Sequence, residues 1–199
     1  MSQEPTGLLF VISGPGGVGK DTVIEKLLQA NPNLHYSVSF TTRPKRDYEV
    51  DGKHYTFVDE ERFRNLIARG ELLEHATVNG YLYGTSRTRV EKAQKQGQDV
   101  ILKIDVQGAE TVRKKRPDAI FIFIQPPSME ELMKRRRKRG AEPPEVMRER
   151  QKLAEREMSF ASFYDYVVVN ENADQAARDI AAIIEAEKRR RRVQPEPTP

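Results

Sequence analysis

The chain contains no cysteine, so no disulfide can brace it. Long apolar stretches are missing as well. The longest purely apolar run, Leu8 to Ile12, is far short of the roughly 20 residues that span a bilayer, which excludes a membrane-spanning helix and points to a soluble protein. Met1 to Gly7 is polar and lacks the basic start and apolar stretch of a secretory signal, so a cytoplasmic location is expected. His35, His54 and His75 are scattered without metal-ligand spacing and are read as surface or packing residues. A general basic character is also absent once its source is located. Of the formal net charge of +4, the run Lys188 to Arg192 alone supplies five positive charges, and the remainder is close to neutral. A nucleic-acid partner is therefore not expected. The run is read as a solvated helix end leading into a polar, proline-rich tail, assigned to residues 191–199.

What is present suits one compact enzyme. A chain of 22.9 kDa with 37% hydrophobic residues can bury a sizeable core. Buried-strand patterns at Leu8 to Ser13, Asp99 to Asp105, Ala119 to Ile124 and Tyr166 to Val169 alternate with helix-like stretches at Thr22 to Ala30, Val90 to Lys95, Ala109 to Lys114 and Met129 to Lys138. That alternation predicts an α/β fold, a parallel sheet flanked by helices. Two segments break it. Tyr36 to Thr42, His54 to Val58 and Leu73 to Val78 read as strands of a small inserted mixed sheet, with Asn79-Gly80 as a hairpin turn. Lys134 to Met158 is charged and poor in apolar residues, with Pro143-Pro144 opening a helix, and reads as a mobile lid.

Gly14-Pro15-Gly16-Gly17-Val18-Gly19-Lys20 matches G-x-x-x-x-G-K between a buried strand and a helix start. Glycines let backbone amides turn inward around phosphate oxygens, the helix N-terminus adds positive potential, and Lys20 reaches the β and γ phosphates of a nucleotide. The residue after the lysine, usually Ser or Thr for magnesium, is Asp21 here. Thr22 is adjacent and belongs to the same ATP-facing segment, but it points about 100° away from Asp21 on a helix and does not simply substitute for the missing hydroxyl.

Beyond the loop, Ser37-Val-Ser-Phe-Thr-Thr-Arg43-Pro-Lys-Arg46 and Glu49-Val-Asp-Gly-Lys-His-Tyr55-Thr-Phe-Val58 resemble the segment with which guanylate kinases hold GMP. The resemblance continues through Glu74, Tyr83-Gly-Thr85, Ile104-Asp105-Val-Gln-Gly108, Arg139-Gly-Ala-Glu142, Arg150, Glu157-Met158 and Tyr164-Asp-Tyr166, covering about Leu8 to Ile184. It implies one guanylate-kinase-like domain over 7–190. Its core would be 7–35, 88–127 and 159–190, its GMP-binding insertion 36–87 and its lid 128–158. It further implies ATP and GMP as substrates, magnesium as cofactor, and a monomer or homodimer.

The roles implied are consistent with the side chains. Arg43 and Arg46 would grip the GMP phosphate with their planar forks, aided by the hydroxyls of Tyr55 and Tyr83. Guanine presents N1–H and N2–H₂ donors, which the resemblance assigns to Glu74, with Ser39 and Thr85 as hydroxyl contacts to the base. Asp105 would meet the GMP side and help organise magnesium. Arg135, Arg139 and Arg150 match the lid arginines that clamp ATP phosphates and stabilise the charge developing in transfer. Lys20 and Arg43 join them as catalytic residues. Asn170 matches an adenine-side contact. Arg136 and Arg137 are read as solvated, and Phe160, Phe163, Tyr164 and Tyr166 as packing behind the lid.

A second departure lies at Lys103, where the family usually has an acid. Lys103 and Asp105, two apart on a strand, are expected to share a face. Either Asp21 and Lys103 compensate one another as an ion pair, or Asp21 ligates magnesium directly or through water.

Overall fold

The computed structural model describes residues 7–138 and 143–193. They form two compact units, one of residues 7–13 and Asn33–Phe121, the other of Gly14–Pro32 and the described residues from Ile122 onward.

In the first unit, β1 (Leu9–Ser13) is buried at every position, the pattern of a strand covered on both faces. It runs parallel to β7 (Val100–Lys103), with Leu9 opposite Val100 and Ile12 opposite Lys103. β7 in turn pairs in parallel with β2 (His35–Tyr36). A second, mixed sheet has the order β4 (Thr56–Phe57), β3 (Phe40–Thr41), β6 (Tyr81–Ser86), β5 (Leu72–Val78). The expected strand from Tyr36 to Thr42 is therefore two strands serving different sheets.

The turn between β5 and β6 is Asn79-Gly80, both at positive φ (50° and 81°), with Val78 opposite Tyr81. This two-residue geometry matches the twist of the strands it joins. The helix α2 (Glu60–Ala68), which is not among the elements expected from the sequence, begins at Asp59, whose carboxylate accepts from the Arg62 amide at 2.7 Å. It seats the fully buried Phe63 against Phe40 and Leu72, a burial that contributes about 1.5–3 kcal/mol. Two more helices, α3 (Arg87–Lys95) and α4 (Val106–Lys115), complete this unit.

The second unit pairs the end of β8 (Ile120–Gln125) in parallel with β9 (Tyr166–Val169), Ile122 opposite Tyr166. Its helices are α1 (Lys20–Ala30), α5 (Met129–Lys138), α6 (Pro144–Ser159) and α7 (Ala173–Val193), with a short 3₁₀ turn at Phe160–Phe163. α7 packs on α1 through its buried Ala176, Ile180 and Ile184, and Lys26 binds Asp174 at 2.6 Å beside them. The helix runs through Val193, past the start assigned to the tail, while residues 194–199 lie outside the described residues.

The α/β class with parallel strands, flanking helices and a second mixed sheet is thus as expected. Two side-chain expectations are corrected. Phe163 is 67% exposed rather than packed, and Arg136 is only 8% exposed rather than solvated. No helix of the described residues is long and apolar enough to cross a membrane.

Candidate active site

In the second unit the chain leaves β1 into Gly14, and Gly14, Gly17 and Gly19 take φ of 152°, 88° and 99°. L side chains rarely adopt these angles. The loop returns on itself through Val18 N–H to the Pro15 carbonyl at 3.2 Å. α1 then starts without a side-chain cap, leaving the positive end of a three-turn helix to meet an anion. The Lys20 ammonium donates to the carbonyls of Gly14 (2.5 Å) and Pro15 (3.2 Å), which holds it against the loop. Asp21 and Thr22, on the first turn of α1, are exposed.

This loop is held from behind by residues of α5, α6 and the segment after β9. Asn170, 3% exposed, donates its side-chain amide to the Val18 carbonyl at 2.8 Å. Arg135 spreads over the carbonyls of Asn170 (2.9 Å), Glu171 (3.2 Å) and Val18 (3.4 Å), with Glu131 accepting from its Nε at 3.0 Å. Arg136 donates two guanidinium N–H groups to the Gly16 carbonyl, through Nε at 2.7 Å and through Nη2, and a third to the Arg150 carbonyl at 2.8 Å. From α6, Glu157 accepts from the Gly16 amide at 3.1 Å. The Arg150 side chain is exposed, and Arg139 lies outside the described residues. Sequence reasoning therefore missed Arg136. The signal was its spacing, since it follows the buried Leu132 and Met133 by four and three residues, on the face α5 buries.

In the first unit the candidate acceptor residues sit on the mixed sheet and around β7. Glu49, 6% exposed, accepts from Arg43 Nη2 at 2.6 Å and from the Arg46 amide at 2.8 Å. Burial opposes its ionisation, but these two donors and the nearby charges prevail and hold its carboxyl below the ordinary value. The same linkage acts on Arg43. Burial works against its charge, while bonds to Glu49 and Tyr83 raise its pKa further. Tyr55 and Tyr83 meet edge to face at 5.8 Å, and both the Arg43 guanidinium (5.6 Å) and the Lys103 ammonium (4.8 Å) approach the Tyr55 ring. Arg46 donates instead to the Tyr48 hydroxyl at 2.7 Å, near solvent. Arginine forks and tyrosine hydroxyls gathered in this way are chemistry for a phosphate dianion.

Further along the same sheet, β5 shifts register between Leu72 and Glu74. The irregularity lets Leu72, Leu73 and Glu74 all be buried where strict alternation would expose one of them. Glu74 is 2% exposed, and its Oε1 accepts from the Thr85 hydroxyl at 2.6 Å across the hairpin. Burial, reinforced by the like charge of Asp105, pushes its carboxyl from the ordinary 4.5 to about 7, against the opposing pull of the Thr85 bond. Asp105 is the cap of α4, its Oδ1 accepting from the Gly108 amide at 3.0 Å and its Oδ2 from Gln107 Nε2 at 3.1 Å. Ser39 is also buried.

A glycine-lined loop opening a helix, with a lysine against it, defines the chain as a phosphate-loop protein of the α/β class. Comparison with known proteins narrows this. The guanylate kinase family profile matches residues 7–187, and the chain belongs to that family. The guanylate kinase of Clostridium perfringens is 50% identical over 186 residues, spanning 94% of this chain and 86% of that protein. That of Carboxydothermus hydrogenoformans is 45% identical over 182 residues, spanning 92% and 89%. Among solved structures, guanylate kinase from Anaplasma phagocytophilum superposes with a TM-score of 0.78 at 40% identity, covering 92% of this chain and 87% of that one.

Proposed function

We propose that the chain transfers the γ-phosphoryl group of ATP to GMP, giving ADP and GDP, in cytoplasmic purine nucleotide metabolism. The observation that carries this is Glu74, a buried carboxylate set beside a hydroxyl in the unit that also holds the Arg43–Tyr55–Tyr83 cluster. An ionised carboxylate accepts from guanine N1–H and N2–H₂, and adenine has no equivalent pair of donors.

On this reading Arg43, Arg46, Tyr55 and Tyr83 hold the acceptor phosphate, and Ser39, Thr85 and Asp105 complete the GMP side. The amides of Gly14 to Lys20 and the Lys20 ammonium hold the donor phosphates. Arg135, Arg139 and Arg150 contribute positive charge during transfer, and Asn170 braces the loop on the adenine side. The mixed sheet supports an acceptor-binding insertion at 36–87, and the charged helices α5 and α6 support a lid at 128–158. No side chain is needed as a nucleophile. The GMP phosphate attacks the γ-phosphorus, and the residues align and neutralise.

Among the described residues no cluster of three or more carboxylate, histidine or cysteine groups could hold a metal by itself. That suits magnesium, which keeps most of its water and is held chiefly by nucleotide phosphates with one or two carboxylates. Asp21, exposed beside the loop, and Asp105 are the candidates to hold it. When bound, magnesium would neutralise charge on the β and γ phosphates.

The test is ADP formation from ATP and magnesium with GMP, AMP, CMP and UMP offered separately. GMP-specific turnover abolished by Lys20→Ala is expected; equal turnover with AMP, or none with any acceptor, sinks the reading. A phosphopeptide-binding module without catalysis has no use for an intact loop braced at Gly16 and Val18, and a kinase of another small phosphorylated acceptor has no use for Glu74.

A further inference from the structure

We infer that Gly108 is a specificity-positioning residue, the absence of a side chain there being what seats the Glu74 carboxylate. The inference rests on the reading of Glu74 as the guanine acceptor.

Gly108 is the third residue of α4, in ordinary helical conformation, a place where alanine is intrinsically better. No turn or positive φ calls for glycine there. What calls for it is space. A Cβ built on Gly108 would stand 2.7 Å from Glu74 Oε2, 3.2 Å from Glu74 Cδ and 3.2 Å from Asp105 Oδ1. The Glu74 carboxylate occupies the volume of the missing methyl.

Three other contacts fix the same geometry. Thr85 holds Oε1 of Glu74 at 2.6 Å. The Gly108 amide is tied to the helix cap Asp105 at 3.0 Å, which orders the first turn of α4. At the far end of α4, Lys115 donates to the Leu73 carbonyl at 2.7 Å, fixing the strand at the residue before Glu74. Lys115 thus ties α4 to β5 next to Glu74, and the atom in the way is the end of a side chain, so a methyl at 108 displaces the carboxylate before the backbone.

The clashing atom is the end of a flexible side chain, so Gly108→Ala should fold with its melting temperature kept or raised. Its Glu74 oxygen must move by several tenths of an ångström, enough to spoil a charge-assisted bond to the base. We expect the KM for GMP to rise roughly 10- to 100-fold, the range for a hydrogen bond to a charged group, with kcat changed far less and discrimination against AMP reduced. In a Glu74→Ala background, Gly108→Ala should raise the KM for GMP far less than it does alone, because the displaced group is gone and only the 3.2 Å approach to Asp105 remains; this double variant also keeps the test usable if the single one folds poorly.

Each outcome decides something. A Gly108→Ala enzyme with unaltered GMP affinity, beside a Glu74→Ala enzyme that has lost selectivity, overturns the inference and leaves the reading of Glu74 intact. Effects that multiply in the double variant also overturn it, since Gly108 would then act independently of Glu74. Unchanged selectivity in Glu74→Ala itself removes the underlying reading, and the inference with it.

Discussion

Replacing Glu74 by glutamine should make the chain more stable at alkaline pH and poorer at its task. The folded state binds the Glu74 proton more tightly than the unfolded chain does, since burial raises the carboxyl from 4.5 to about 7. Its contribution to stability is therefore fully present below pH 4.5, is lost as pH rises through about 7, and stays lost above that. The interval of about 2.5 pH units, at about 1.4 kcal/mol each, amounts to about 3 kcal/mol. Glutamine has nearly the same shape, and its carbonyl can still accept from Thr85, so it resembles the protonated acid and does not titrate.

Urea unfolding of parent and Glu74→Gln from pH 4.5 to 8.5 isolates the effect, because other groups titrate alike in both and cancel in the difference. The variant should gain little at pH 4.5 and up to about 3 kcal/mol at pH 8, or about 6–12 °C in Tm for a domain of this size. A difference that stays constant with pH would refute the reasoning. The same carboxylate must be ionised to accept from guanine, so GMP binding near pH 6 should release close to one proton more from the parent than from Glu74→Gln, the titration of the GMP phosphate cancelling in the difference. Calorimetry in buffers of different ionisation enthalpy reads that number directly.

Two further outcomes follow from the loop and from the departures around it. Arg136→Leu removes three donors to the Gly16 and Arg150 carbonyls; the KM for ATP should rise at least tenfold while that for GMP holds, and a parallel rise in both would show general damage instead. We also expect Asp21→Ser and Lys103→Glu to be less harmful together than their separate effects on magnesium dependence and stability imply, and strict additivity would show that the two departures do not compensate one another.

Much of the fold is legible in the sequence because its signals are local. Met129 to Lys138 is helix throughout and Tyr166 to Val169 is strand to the residue, and Asn79-Gly80 announces its hairpin through backbone chemistry that few other pairs allow. α2 is legible too, since Phe63, Leu66 and Ile67 recur at helical spacing behind the Asp59 cap and an acidic first turn, although only Phe63 is fully buried. The split of Tyr36 to Thr42 is not a local property, since it is decided by which strands lie alongside, β7 for one half and β6 for the other. At the candidate site, the identities of Lys20, Arg43, Glu74 and Thr85 follow from motif and resemblance. The bulge that buries Glu74, the volume left at Gly108 and the inward turn of Arg136 arise only when distant segments meet.

Gly16 is gripped at both polar ends, its carbonyl by Arg136 of α5 and its amide by Glu157 of α6. The phosphate loop is therefore tensioned like a string between two pegs, and both pegs belong to helices of the proposed lid. A carboxylate already seated on a loop amide acts as a placeholder for phosphate, so much of the ordering that a nucleotide would otherwise have to impose is completed on folding. If the loop holds the donor phosphates as proposed, the corollary is a trade in speed against readiness: an arriving triphosphate would have to dislodge Glu157 from Gly16, and a departing product would leave behind a loop that still has a shape.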